Sequence, residues 1–121
     1  MPNTNLAVGK FGENIAVNYL TQKGYRILAK NYRTRFGEID IIAQIKQKIS
    51  FIEVKTRIGI KKGMPFEAIN YYKIKHLRYV AQLFLLQKKL KNYKLSLDVI
   101  AIILNEDLTI KRINFFANII S

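Results

Sequence analysis

The chain has 121 residues and a formal net charge of +13, set by 21 lysines and arginines against 8 acidic residues. Half of it is hydrophobic and 12% is aromatic, a composition that excludes general disorder. It has no cysteine, which excludes disulfides and thiol catalysis and fits a reducing, cytoplasmic setting.

That length predicts one domain over residues 1–121, large enough to bury a real core. The positive field attracts polyanions, nucleic acid first and an anionic membrane surface second. The bland alternative is a bias toward Lys, Ile and Asn, which base composition alone produces. Met1 to Lys10 carries no apolar core of signal-peptide length, so no export signal is expected. The longest apolar run, Val99 to Leu104, is too short to span a bilayer, and no membrane partner is expected.

Taken in order, residues from about Asn5 to Lys23 read as a helix. Val8, Phe11, Ile15, Ala16, Tyr19 and Leu20 form one apolar arc at helical spacing, and Gly24 is placed to end it. Glu13, the only acid of this segment, falls at the margin of the arc between Leu20 and Val17. A carboxylate there is partly desolvated and needs a partner, unless it is an ordinary surface acid. Tyr25 to Tyr32 reads as a first strand. Asn31 to Phe36 reads as a loop, with Arg33 and Arg35 beside Tyr32 and Phe36. Interleaved cations and aromatics suit phosphate contact and base stacking, although a solvated connector looks the same.

Glu38 to Ile45 and Ile49 to Thr56 read as two strands joined by Lys46-Gln47-Lys48, which predicts an antiparallel hairpin. A turn centred on Lys46-Gln47 sets Asp40 opposite Glu53. Alternation then puts Glu38, Asp40 and Ile42 on one face with Phe51, Glu53, Lys55 and Arg57. Ile39, Ile41, Ala43, Ile52 and Val54 fall on the other. One face is thus expected to be apolar and the other to carry the acids and a lysine.

Arg57 to Pro65, with Lys61, Lys62 and two glycines, reads as a basic flap. A helix from Tyr71 to about Lys89 follows, capped by Pro65 or Asn70. Ile74, Leu77, Ala81, Phe84 and Leu85 mark its buried stripe, and Lys73 falls outside it. Leu83 and Leu86 widen its apolar surface toward a second contact, such as a subunit. His76, the lone histidine, lies off the stripe, which argues against Ser/His/Asp chemistry and a histidine zinc site. Leu95 to Leu104 is a strongly apolar strand containing Asp98, an acid that needs a cation or a donor. Thr109 to Phe115 is a last strand.

Carboxylates on neighbouring strands repel strongly at low dielectric, and a divalent cation removes the conflict. Two or three acidic oxygens plus water suit Mg2+ or Mn2+. Lys55 beside Glu53 is placed to orient water or offset developing charge. From residue types alone, metal-dependent phosphodiester hydrolysis stands beside the simpler reading of a polar sheet face with cross-strand ion pairs.

An acid on one strand followed by Glu53-Val54-Lys55 on the next resembles the PD-(D/E)XK nuclease superfamily, and Gly12-Glu13 matches the extra glutamate of Holliday-junction-resolvase-like members. The fuller likeness is to the YraN family of that superfamily. It runs through Gly24-Tyr25, Asn31, Arg33, Gly37-Glu38-Ile39-Asp40, Phe51-Ile52-Glu53-Val54-Lys55, Arg57, Glu67-Ala68, Lys73 and Asp98-Val99-Ile100. The resemblance implies an α/β fold with a restriction-endonuclease-like core, a central mixed β-sheet flanked by helices. It implies Asp40 and Glu53 as metal ligands, Lys55 as the catalytic lysine and Glu13 as a further acid at the metal. Glu38 and Asp98 would stand behind them. Arg33, Arg35, Arg57, Lys61, Lys62 and Lys73 are the candidate nucleic-acid contacts. Where the family often carries arginine, this chain has Ser96, so Asp98 is expected to find Lys73 or Arg112 instead. The expectation is a Mg2+- or Mn2+-dependent endonuclease acting on DNA rather than RNA, on branched or damaged substrates, as a homodimer. A non-catalytic nucleic-acid-binding protein of the same fold is the alternative, and an RNA-associated factor is a third.

Overall fold

The computed structural model describes residues 5–35, 37–59 and 71–119. Phe36, Lys61, Lys62, Gly63, Pro65, Glu67, Ala68 and Asn70 lie outside the described residues, as do the side chains of Lys73 and Ile74.

The elements run α1 (Asn5–Gln22), β1 (Arg26–Thr34), β2 (Gly37–Ile45), β3 (Lys48–Ile58), α2 (Tyr71–Gln87), β4 (Lys94–Leu104) and β5 (Ile110–Phe116). Every end lies within two residues of the expected one. Helix α1 stops as its glycine predicts. Gly24 adopts φ 96°, its N–H donates to Thr21 O at 3.1 Å, and the Tyr25 N–H donates to Leu20 O at 3.0 Å. This is a Schellman closure, and its left-handed residue has no Cβ to clash. Helix α2 ends the same way with the wrong residue type. Lys89 takes φ 57°, and the Leu90 N–H donates to Leu85 O at 2.9 Å.

The five strands form one sheet in sequence order, β1-β2-β3-β4-β5. All neighbours are antiparallel except β3 and β4, which pair in parallel from Lys48↔Lys94 to Ile58↔Leu104. A parallel pair needs a crossover, and the segment containing α2 supplies it. The β2–β3 hairpin pairs Ile45 with Lys48 across Lys46-Gln47, as expected. Lacking an Asn-Gly turn, it sets Lys46 at φ 53°. The result is the expected α/β architecture, a mixed sheet flanked by helices and consistent with a restriction-endonuclease-like core.

The expectation of one apolar face is corrected. Both faces are apolar and each carries a helix. Ala16 and Leu20 of α1 pack with Ile41, Ala43, Ile52, Ile100 and Ile102. On the other face Leu77, Val80, Ala81 and Phe84 of α2 pack with Ile39, Ile42, Ile49, Phe51 and Leu97. The acids occupy only one end of β2 and β3, and beyond them Ile42 and Phe51 return the polar face to the core. Alternation also fails within β2. Ile39 packs with Ile42 rather than with Ile41. Across from this stretch, between the pairs Lys30↔Ile41 and Tyr32↔Ile39, stands Asn31 at φ 50°. A left-handed residue inside a strand interrupts the pleat, and asparagine tolerates that conformation better than most.

Candidate metal centre and nucleic-acid interface

The β2–β3 ladder ends at Ile41↔Ile52, and one step further in the same register stand Asp40 and Glu53. There Asp40 Oδ2 accepts the Val54 N–H at 2.8 Å. A side-chain carboxylate thereby takes up a backbone donor of β3 where the two strands part. Lys55 follows on the same strand, its Nζ 3.4 Å from Glu53 Oε1. Glu53 is buried, with 7% of its side chain exposed against 22% for Lys55. Leaving such a carboxylate without a nearby cation would be costly.

The charges collide at Asp40. Burial, then the Glu53 carboxylate, and more weakly Glu13 and Glu38, push its carboxyl up to about 7 from an ordinary 3.8. The Val54 N–H pulls the other way and only partly offsets them. Three acids from three elements therefore act on Asp40. Glu13 comes from α1, Glu38 from β2 like Asp40 itself, and Glu53 from β3.

Asn31 ties two of them together. Its Nδ2 donates to Glu13 Oε1 at 3.1 Å and to Glu38 Oε1 at 3.3 Å. Arg33 Nε donates to the other Glu38 oxygen at 2.9 Å. Glu13 is thus no idle surface acid. The sequence places Asn31 at the start of a connector and in the family pattern, with no role at the acids. Its signal was its type, since asparagine combines a left-handed backbone with a forked amide donor.

Close approach of α1 to β3 sets Glu13 in place. At Gly12 a Cβ would collide with Thr56 Oγ1 and lie 2.8 Å from Thr56 Cβ. Only glycine allows the helix to sit this near the strand that carries Glu53 and Lys55.

Asp98 stands apart. It is buried, and it is not among the charges acting on Asp40. Arg112 is not among its hydrogen-bond partners within the described residues, and the Lys73 side chain lies outside them. Ser96 Oγ donates to its Oδ1 at 2.6 Å, and the Asn118 N–H donates to the same oxygen at 2.7 Å. The residue standing where the family arginine is expected thus serves the acid itself, helped by a backbone 20 positions away. Among the described residues Asp98 Oδ2 has no partner.

The basic candidates divide. Arg33 lies in β1 and not in a loop, with 80% of its side chain exposed despite the Glu38 pair. Arg35 is exposed, whereas Arg57 is half-buried with its Nε shielded. Lys61 and Lys62 lie outside the described residues, as does the Lys73 side chain.

Among the described residues no group of three or more acidic, histidine or cysteine side chains is drawn together tightly enough to form a metal cage. Mg2+ does not need one, because it binds through one or two carboxylates and keeps several waters. Asp40 and Glu53 offer such a hard-oxygen set. No described helix is long and apolar enough to cross a membrane.

A profile of the uncharacterised protein family UPF0102 matches residues 12–102, which include Glu13, Asp40, Glu53, Lys55 and Asp98. A UPF0102 protein of Caldanaerobacter subterraneus subsp. tengcongensis is 42% identical over 92% of this chain and 92% of its own. One from Clostridioides difficile is 46% identical over 94% of this chain and 96% of its own. Another, from Alkaliphilus oremlandii, is 49% identical over 84% and 89%. With likeness of this depth along nearly the whole chain, the protein belongs to the UPF0102, or YraN-like, family.

Proposed function

We propose that the protein is a metal-dependent endonuclease that hydrolyses phosphodiester bonds in DNA, with branched or damaged DNA as the substrate class. The observation that carries the reading is the partly buried Asp40 carboxylate, held by the Val54 N–H on the strand that carries buried Glu53 and its Lys55 partner. Its raised proton affinity comes first from burial and then from the Glu53 carboxylate beside it, so two desolvated acids meet at one point. A proton relieves one unit of their charge and a divalent cation two.

Asp40 and Glu53 are the residues to hold Mg2+ or Mn2+, with Glu13 at the margin, and all donate hard oxygens. Bound there, the ion supplies polarisation of a phosphoryl oxygen and a lowered pKa for water. The chain itself does the rest. The Val54 N–H fixes one Asp40 oxygen, leaving the other for a ligand. Asn31 restrains Glu13 and Glu38. Lys55, partly open to solvent, brings N–H donors and a positive charge beside Glu53, where they can align an attacking water and offset charge growing on phosphate. The +13 charge draws the polyanion to a locally acidic spot. A homodimer and a cytoplasmic setting belong to the same proposal, on the resolvase resemblance and the cysteine-free composition.

The test incubates the protein with linear, supercoiled, flapped and four-way-junction DNA in Mg2+ or Mn2+, and again in EDTA, beside Glu53→Ala. Metal-dependent cleavage lost in the variant is expected. Equal background in both proteins sinks the nuclease reading for those substrates. Binding without cleavage would leave the alternative, a nucleic-acid-binding protein of this fold.

A further inference from the structure

Helix α1 carries two glycines where alanine would serve it better, and only one is explained by packing. Gly12 is required by Thr56. At Gly9 an added Cβ meets nothing within 4 Å. An interior helical glycine weakens its helix, and here no neighbour repays the loss.

What the missing side chain leaves is space. Gly9 lines a groove of about 470 Å³ between α1 and β1. Glu13 and Glu38, the acids bridged by Asn31, form part of its wall, and both act on the Asp40 carboxyl, so the groove borders the candidate metal centre. Lys10 and the exposed Arg33 supply cations to it. Leu6 also lines it and is 81% exposed, an apolar surface that no part of the described fold uses. Cations, acids at one wall and one bare apolar side chain match the parts of a nucleotide. A phosphate meets the cations, and a sugar or base face meets the leucine. The volume falls within the usual range for a small-ligand pocket.

We propose that this groove receives one unpaired nucleotide of the strand whose phosphodiester is presented to Asp40 and Glu53. The inference rests on the nucleic-acid reading of the site and sharpens it, because a stacked, paired nucleotide does not enter a groove of this kind. Substrates with an unpaired nucleotide beside the target bond are therefore the preferred class. Gly9 is small to keep the groove open, and Lys10 and Arg33 hold the phosphate beside it.

The test exploits the open space at Gly9. Gly9→Phe adds a ring to the groove with no clash at its Cβ, and Gly9→Ala is the folding control. Binding is read in EDTA by fluorescence anisotropy, with a labelled duplex carrying one unpaired nucleotide and with the same duplex fully paired. Wild type is expected to prefer the first. Gly9→Phe is expected to weaken that binding at least tenfold while leaving the paired duplex within about twofold, and Gly9→Ala to melt a few degrees higher than wild type. Equal binding of the two duplexes by wild type, unchanged binding by a folded Gly9→Phe, or no binding at all overturns the inference. Cleavage with Mg2+, run beside Glu53→Ala, decides the nuclease reading separately. That reading can fail with the groove intact, and the groove can fail while cleavage persists.

Discussion

Replacing Asp40 by asparagine isolates the electrostatic conflict at the centre of the site. The amide oxygen introduced by Asp40→Asn can still accept the Val54 N–H, so the perturbation is chiefly the loss of a charge. The folded protein holds the Asp40 proton up to about pH 7, whereas the unfolded chain releases it near 3.8. Between those values the folded state binds more protons, so wild-type stability falls as pH rises through the window. A gap of about three pH units corresponds to at most about 4 kcal/mol lost between pH 4 and pH 8. The asparagine variant lacks this slope. In EDTA its advantage should therefore be absent near pH 4, grow from pH 4 to 7 and level off above. At pH 8 it amounts to a melting difference on the order of 10 °C. Urea or thermal unfolding of both proteins from pH 4 to 9 reads it directly. A stability gap that does not change with pH would refute the reasoning. On the proposed metal site, Mn2+ at pH 8 should raise the wild-type midpoint more than the variant's, because an amide oxygen is a weaker ligand than a carboxylate.

Further outcomes follow from other parts of the fold. Lys55→Met should abolish cleavage and cost about 1–3 kcal/mol by weakening compensation of the buried Glu53 charge, measured by urea unfolding at pH 7. Gly12→Ala should destabilise by about 1–3 kcal/mol through its collision with Thr56, and Thr56→Ala should recover part of the loss in a double-mutant cycle. Ser96→Ala should cost about 1–3 kcal/mol by removing a donor from buried Asp98, without changing metal affinity. Lys89→Gly should stabilise by about 1 kcal/mol, since glycine relieves the left-handed closure of α2.

Much of this was legible along the chain because the informative contacts are local. Period-two runs marked the strands, and their short connection predicted the register that runs from Ile45↔Lys48 to Ile41↔Ile52, next to Asp40 and Glu53. Gly24 marked a helix end that needs a left-handed residue. The chemistry of the acids was legible only as one of two readings, until the ordered likeness to a nuclease superfamily joined Glu13 to the set. What escaped depended on distant partners. Asp98 takes a donor from Asn118, a backbone group that no spacing rule connects to it. Asn31 interrupts the pleat of β1 through its own φ, and across from it Ile39 packs on the α2 side. Strict alternation assumes that no residue does this. The second apolar face was missed because Ile42 and Phe51 alternate with the acids and looked like strays on a polar surface.

The hydrogen bond from Val54 to Asp40 makes the site visible from the backbone. A cation bound at the carboxylate draws electron density from the oxygen that holds this amide. Filling the site should therefore loosen one proton on β3, the central strand of the sheet. Val54 becomes a built-in reporter. Its exchange rate and chemical shift would register metal at the carboxylate before any substrate is cut, and in a variant that cuts nothing.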